Sequence, residues 1–407
     1  MRTLRRNVVV RIEELGERVV IARHERTPRH VAVHERAGAI VITAAGGGSV
    51  GDEAMYQAFT RHAPKPVRVL HRGDDDLLVP AKDLGAEGVV LKDLVYGRGI
   101  RSHLRAVSEF ARLVDVVAAC GIVGADMMDG IYNDRAAARR FRLAEIAARL
   151  GADSRVLGFS WVDKPSPIAK RALRRTSAQV SLLARDPVSA SRLRRDGGKN
   201  VHEVADLAFL TEVNEEPADS SAQQWIEAQH GAGREVVLVN ANPRIAVKYP
   251  GQDEAYKKLV STLVSAGYSC LALPHDSRHG ANSETAYLQK LLEDWSDSEH
   301  VFIAGDVVLP GEVSRLAAQC ALAVSGRMHL VILAAVGGTP SVGLEYQDKF
   351  EGLYEYLGFD LRVKAGDVRT ELLEATLSAL STREELRAQL QSALPRVKQF
   401  AGRNIPE

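Results

Sequence analysis

A chain of 407 residues, 45% hydrophobic and 26% charged, exceeds one ordinary core and has the make-up of a soluble globular protein of two or three domains. Its 53 basic and 52 acidic side chains give a net charge of +1, which excludes a global electrostatic footprint for nucleic acid. Cys120, Cys270 and Cys320 lie far apart without a Cys-x-x-Cys pair, which excludes a disulfide framework and a cysteine zinc site and suits a reducing compartment. The first six residues are basic, like the start of a signal peptide. Only Val8, Val9 and Val10 then precede Arg11, so no apolar h-region follows. No stretch approaches the roughly eighteen apolar residues of a membrane span. A cytoplasmic location is expected, with the inner membrane face as an added option.

Residues 1–36 are charged and alternating, with 19–22 and 31–33 as short strand candidates. Residues 39–44 form a β-rich strand that runs into Gly46, Gly47, Gly48, Ser49, Val50, Gly51, Asp52 and Glu53, then a helix from about 54 to 62. Strand, glycine turn and helix make the first unit of a Rossmann-like domain. The glycines allow close backbone approach, and Asp52 and Glu53 suit a first helical turn. The turn is neither Gly-x-Gly-x-x-Gly nor a P-loop, so it serves turn-making as readily as ligand contact.

Strands are predicted over 66–70 and 88–91, a helix over 101–113 and a buried strand over 115–119. A second glycine-bearing turn, from Cys120 to Gly130, carries Gly124, Asp126 and Asp129. A carboxylate there either caps a loop or faces a cleft to orient a hydroxyl or accept a proton. A helix over 135–150 and a strand over 155–159 follow. Arg171, Arg174 and Arg175 fall on one helix face, with Arg192, Arg194 and Arg195 nearby. They form either a solvated face or a surface for anionic lipid or a lipid-linked substrate. A strand over 180–184 delivers Arg185, which needs a partner or a ligand; Asp186 stands beside it.

A linker over 211–233 holds a short helix near Trp225. Strands over 235–239, 269–273 and 301–304 then alternate with helices over 257–266, 285–295 and 310–319. The strand at 321–324 opens onto Ser325, Gly326, Arg327, Met328 and His329, followed by a buried helix over 330–336 and a strand over 341–344. Ser325 is placed to cap that helix, and a helix N-terminus beside Arg327 and His329 is a ready anion site. His275 and His103 are expected to be structural or superficial. The last helix, 383–400, contains Pro395, a candidate break. Both halves alternate β and α, which implies two doubly wound domains facing a central cleft, the default place for a ligand. The expected organisation is a lead-in at 1–36, an N-terminal Rossmann-like domain at 37–212, a linker at 213–233, a C-terminal Rossmann-like domain at 234–380, and a helix and tail at 381–407.

Four stretches resemble the polysaccharide pyruvyl transferase family. Gly47 to Ala54 is similar to its Gly-x-x-Gly-Asp-Glu turn, and residues 115–129 to its strand and glycine loop ending in Asp. Leu183 to Ser189, with Asp206 further on, is similar to its Arg-Asp-x-x-Ser segment. Most specific is Ser325-Gly326-Arg327-Met328-His329 with Gly338-Thr339-Pro340 and Tyr346 to Lys349, which resembles the family's Ser-x-Arg-x-His, Gly-x-Pro and Tyr-x-x-Lys series. The resemblance covers about residues 39–360. It implies an α/β, GT-B-like fold with an acceptor-side N-terminal and a donor-binding C-terminal domain. It also implies phosphoenolpyruvate as donor, a sugar or lipid-linked oligosaccharide as acceptor, a pyruvate ketal as product, and no metal, nucleotide or other cofactor.

On that reading Arg327, Arg185 and Lys349, with the helix start at Ser325 and Gly326, bind the dianionic donor. His329 is the general acid that protonates the methylene carbon, and Asp129 orients or deprotonates the acceptor. Gly48, Gly51, Asp52, Glu53, Gly124 and Asp126 line the acceptor or cleft loops. The competing readings are a GT-B glycosyltransferase using a nucleotide sugar and a non-catalytic binding protein of the same fold. A nicotinamide dehydrogenase ranks below both, because neither half shows Gly-x-Gly-x-x-Gly.

Overall fold

The computed structural model describes residues 2–27, 31–44, 47–213, 221–277, 283–305 and 308–407, excepting the side chains of 2–7 and 74. The chain divides into two units. Unit 1 comprises Met1–Gly46, Met55–Leu207 and Phe400–Glu407; unit 2 comprises Gly47–Ala54 and Ala208–Gln399.

Seven strands build the sheet of unit 1: β1 (Ala39–Ile42), β2 (Val67–His71), β3 (Glu87–Val90), β4 (Ala119–Ala125), β5 (Asp153–Phe159), β6 (Val180–Ala184) and β7 (Val201–Glu203). All pairs are parallel, in the order β3-β2-β1-β4-β5-β6-β7. β1 and β4 are buried at every position, as an apolar strand covered by helices on both faces must be. Unit 2 repeats the plan with β8 (Val236–Asn240), β9 (Ser269–Ala272), β10 (Val301–Ile303), β11 (Leu322–Ser325), β12 (Ser341–Glu345) and β13 (Arg362–Lys364). Its order is β10-β9-β8-β11-β12-β13, again parallel throughout. Strand order reverses between β1 and β4 in one sheet and between β8 and β11 in the other. In open α/β sheets that reversal opens a crevice at the strand carboxyl ends.

Three expectations are corrected here. The buried strand begins at Ala119, not at 115, so Gly121 and Gly124 lie within β4 and not in a loop. Asp115 instead follows the helix Ile100–Val114, and its carboxylate meets His24 at 2.6 Å. The apolar run continues from 116 to 125, so hydrophobicity alone could not locate the strand's start. Pro395 does not break the last helix, which runs from Arg383 to Gly402. Beyond it Asn404 accepts from the Gly158 N–H at 2.7 Å and donates to the Ala205 carbonyl at 2.9 Å, which fixes the tail within unit 1.

The third correction concerns the lead-in. It forms one helix, Arg2–His24, with no strand at 19–22. The inward face of this helix is acidic: Glu13 is fully buried, Glu17 is 4% exposed, and Ile21 follows one turn later. Arg135 and Arg139 donate to Glu13, Arg139 at 2.5 Å. Arg142 and His103 donate to Glu17 at 2.5 and 2.7 Å. Burial pushes both carboxyls up, but the hydrogen bonds and charges of these partners outweigh it and hold both below their ordinary value. Glu13→Ala strands Arg139 in the core and is expected to cost about 3–5 kcal/mol in urea unfolding. Because both folded-state values are depressed, the stabilisation is complete above the ordinary value of 4.5 and is lost as pH falls through the lower folded values. The difference between wild type and variant should therefore shrink on acidification.

Candidate active site of unit 2

The sequence after β11 is a tight turn into an apolar helix, and side chains from β8, β9 and β11 converge on it. Ser325 is the last residue of β11. Its hydroxyl donates to Asn240 Oδ1 at 3.0 Å, across the reversal point, and accepts the Arg327 N–H at 2.9 Å. The helix Met328–Val336 starts three residues later, with Arg327 at the N-cap position. Ser325 thus shapes the turn and does not cap the helix. Gly326 is buried beside Ile245.

Arg327 is held by two carboxylates. Its Nε meets Glu284 Oε1 at 2.5 Å, and its Nη2 meets Asp276 Oδ2 at 3.4 Å. Burial works against its charge, but Glu284 and Asp276 overcome that and keep the guanidinium firmly protonated. Glu284 is itself fully buried. Its second oxygen accepts from Asn240 Nδ2 at 3.1 Å and from the His275 N–H at 2.7 Å. Sequence reasoning missed Glu284, because an acid in a first helical turn needs no special partner.

His275 is 3% exposed, and among the described residues neither ring nitrogen has a hydrogen-bond partner. Burial first, then the positive fields of His329 and Arg327, press its pKa well below the ordinary histidine value, so the ring is neutral. It stands beside His329 and Arg327 and is buried, so of the two roles expected of it the superficial one is excluded.

The glycine turn joins the same cluster. The Val50 N–H donates to the His275 carbonyl at 3.3 Å, and the Ser277 N–H donates to the Gly48 carbonyl at 2.8 Å. Ser49 bridges Asp276 in antiparallel fashion. Gly48 has φ +97°, a conformation that favours glycine. Gly51 lies in the first turn of the helix Val50–His62, and a Cβ there would stand 2.1 Å from His329 Nδ1. The imidazole therefore rests directly on the Gly51 backbone. Two helix N-termini meet at His329, each with first-turn N–H groups that lack an intrahelical acceptor. Asp52 is half-buried and its N–H points to Ser49 Oγ at 3.4 Å, while Glu53 is 3% exposed. Lys349 is 8% exposed, with its ammonium 6.0 Å from the Tyr346 ring centre. The Tyr346 phenol in turn lies within electrostatic reach of Arg327.

The remaining candidates belong to unit 1. Arg185 is 4% exposed, its Nε donating to Ser160 Oγ at 2.7 Å and its Nη1 to Asp206 Oδ2 at 2.8 Å. Its partner is thus Asp206 and not Asp186. Asp186 instead accepts the Ser189 N–H and hydroxyl at the start of the helix Pro187–Asp196. Burial raises the Asp186 pKa in spite of those bonds. Asp129 is 2% exposed and accepts the Ile131 N–H at 2.9 Å. Asp126 accepts the Tyr132 hydroxyl at 3.3 Å. Gly124 packs inside β4, where a Cβ would come 2.6 Å from that of Phe159.

A family model of polysaccharide pyruvyl transferases matches residues 56–348. The chain belongs to the polysaccharide pyruvyl transferase family. The matched region of this pyruvyl transferase relative includes the Ser325 to His329 turn and ends at Asp348; the lead-in helix and the glycine turn precede it. The amylovoran biosynthesis protein AmsJ of Erwinia amylovora is 26% identical over 233 residues, which are 53% of this chain and 54% of AmsJ. The chain thus spans about half the length of that curated relative. Among solved structures, Anabaena HepE in complex with UDP and glucose superposes with a TM-score of 0.58 at 11% identity, over 90% of this chain and 95% of HepE. The UDP-GlcNAc 2-epimerase of Neisseria meningitidis, bound to UDP-GlcNAc, gives 0.56 at 10% identity, over 90% and 97%. At such identities the likeness is one of fold: two Rossmann-like domains of the GT-B type.

The seat of His329 on Gly51 yields a direct test. Gly51→Ala is expected to push the imidazole aside and to cost about 1–3 kcal/mol of stability, as overpacking does. Gly73→Ala, where an added Cβ meets nothing within 4 Å, is the control that should unfold like wild type in the same urea titration.

Proposed function

We propose that this chain transfers the pyruvyl group of phosphoenolpyruvate onto a pair of sugar hydroxyls of a cell-envelope or extracellular polysaccharide or its precursor, with release of phosphate. The observation that carries this reading is the setting of His329, where two helix N-termini meet beside Arg327 and the neutral His275, whose ring has no hydrogen-bond partner among the described residues. Such a site suits a small dianion. Membership of the polysaccharide pyruvyl transferase family and the biosynthetic role in the name of AmsJ support the same class of reaction.

The donor set we propose is Arg327, Lys349 and the two helix starts. Arg185 is left out of it, because Asp206 and Ser160 already take its donors. His329 gives a proton to the methylene carbon of the donor, and C2 becomes electrophilic. One sugar hydroxyl forms a bond to C2 and returns its proton to the imidazole. The second hydroxyl forms the other C2–O bond as the C2–O bond to phosphate breaks, and its proton leaves with the phosphate. We assign the acceptor to unit 1, where Asp126 and Asp129 follow the carboxyl end of β4 at its reversal point. The fold alone would equally serve a nucleotide sugar. However, the buried carboxylates Glu284 and Asp276 are bound to Arg327 and are not offered to a ribose.

Thermal stabilisation by millimolar phosphoenolpyruvate, beside nucleoside diphosphates, tests the reading, since a ligand that binds only the folded state raises the midpoint. A rise with phosphoenolpyruvate is expected; a rise with a nucleotide alone would transfer the site to nucleotide-sugar chemistry. His329→Ala should keep that rise and lose about 10²–10⁴-fold in turnover. Arg327→Ala strands Glu284 and Asp276 as well as losing the donor contact, so Arg327→Lys is the cleaner variant. It should fold and still bind poorly, because a point charge does not replace the planar fork. A bound dianion also offsets the positive field on His275, so its pKa should rise and binding should take up protons below neutral pH. Calorimetry in buffers of different ionisation enthalpy measures that uptake, and His275→Ala should remove it.

A further inference from the structure

We propose that the outward face of the helix Arg2–His24 is a seat for an anionic lipid bilayer. The proposal rests on the surface of unit 1 alone and stands apart from the donor chemistry. Val8, Ile12, Leu15 and Val19 are 51%, 47%, 62% and 51% exposed. They follow one another by four, three and four residues, which is a single stripe along a helix. Arg11, Arg18 and Arg23 are exposed along the same helix.

The acids of this helix are all engaged by the body of unit 1 or by Arg18. Glu13 and Glu17 are buried against Arg135, Arg139, Arg142 and His103. Glu14 accepts from Arg175 and Arg18. Residues 2–7 add Arg2, Arg5 and Arg6 to the sequence and no acid. An apolar stripe bordered by arginines is the pattern of a helix that lies in a membrane interface. No described helix is long and apolar enough to cross a membrane, so this one lies on the surface.

A groove of about 500 Å³ lies between this helix and the helices Asp134–Arg149 and Pro167–Arg175, with Arg18 on its rim. Phe141, Ile168 and Ala172 contribute apolar lining, and Arg149, Arg171 and Arg175 contribute charge. The acids that line it, Glu14, Glu17 and Glu145, already accept from Arg175, Arg142 and the Ser177 N–H. Arg171 is exposed and has no ion pair among the described residues. The groove's five arginines, Arg18, Arg142, Arg149, Arg171 and Arg175, outnumber its three acids, so it carries a surplus of positive charge. A second copy laid on the same face would set Arg11 and Arg18 near arginines of its own kind, whereas anionic headgroups complement them. The family match begins at residue 56, so this helix lies outside the matched region.

Co-sedimentation of the full chain with vesicles of phosphatidylcholine containing about 30% phosphatidylglycerol tests the seat, since each arginine near such a surface contributes about fivefold in binding. Wild type should bind these vesicles and leave those of pure phosphatidylcholine in solution. Leu15→Asp and Ile12→Asp should each weaken binding by about tenfold or more. Arg11→Gln should weaken it about fivefold. Raising salt to about 0.5 M should release most of the protein. Both apolar positions are exposed, so the variants should keep the wild-type circular dichroism and thermal midpoint. Equal binding by wild type and Leu15→Asp would overturn the proposal. So would failure to bind anionic vesicles, or a lipid-free dimer that Leu15→Asp splits, which would give the face to a second copy.

Discussion

The carboxylate of Glu284 is the constraint on which the site depends. A fully buried carboxylate is tolerable only when its oxygens are paired, and both are. One holds Arg327 and the other joins the side chain of Asn240, at the end of β8, to the backbone of His275, just past β9. A single desolvated charge therefore sets the turn after β11, the direction of the guanidinium and the place of the imidazole beside it. It also offsets most of the charge of Arg327. The two helix starts therefore add to the positive character that remains at the site. Such dipoles are already oriented and need no reorganisation when charge develops on a ligand.

Most buried polar groups of both units are paired, and the exceptions differ in where they stand. In unit 1 many complete structure: Arg185 closes on Asp206 and Ser160, Arg139 on Glu13, and His103 on Glu17, although Arg140 keeps two guanidinium nitrogens without a hydrogen-bond partner among the described residues. In unit 2 both ring nitrogens of His275 are without a partner among the described residues, and they stand beside Arg327 and His329. Buried polar atoms are normally satisfied, so an open pair at a strand carboxyl end needs a reason, and a ligand's oxygens supply one. Gly51 fits the same pattern. It spends helix propensity to let an imidazole lie against the backbone, a cost that a purely structural helix start would avoid.

Much was legible in the chain because the signals were local. Strand β6 falls on the predicted residues, and the βα alternation of both halves follows from apolar runs broken by turn residues. The Ser325 to His329 stretch stood out because charged residues interrupt two apolar runs there, and it does lie at the reversal point of the second sheet. Elsewhere local signals failed. The lead-in helix is docked by two buried glutamates as well as by Ile21, so its apolar periodicity is weak and misleads. A continuous apolar run displaced the start of β4, and Gly124 moved with it from loop to strand.

Sequence alone determined the fold class, the family and the residue types available for an anion, because these depend on short-range pattern and on spacing along the chain. Only the tertiary structure decided their partners. Arg185 lies one residue from Asp186 yet pairs with Asp206. Arg327 answers to Glu284 and Asp276, and Gly51 meets His329 across more than half of the sequence. Burial makes those choices: once water is excluded, each charge takes the partner that the packed backbone presents, and distance along the chain no longer counts.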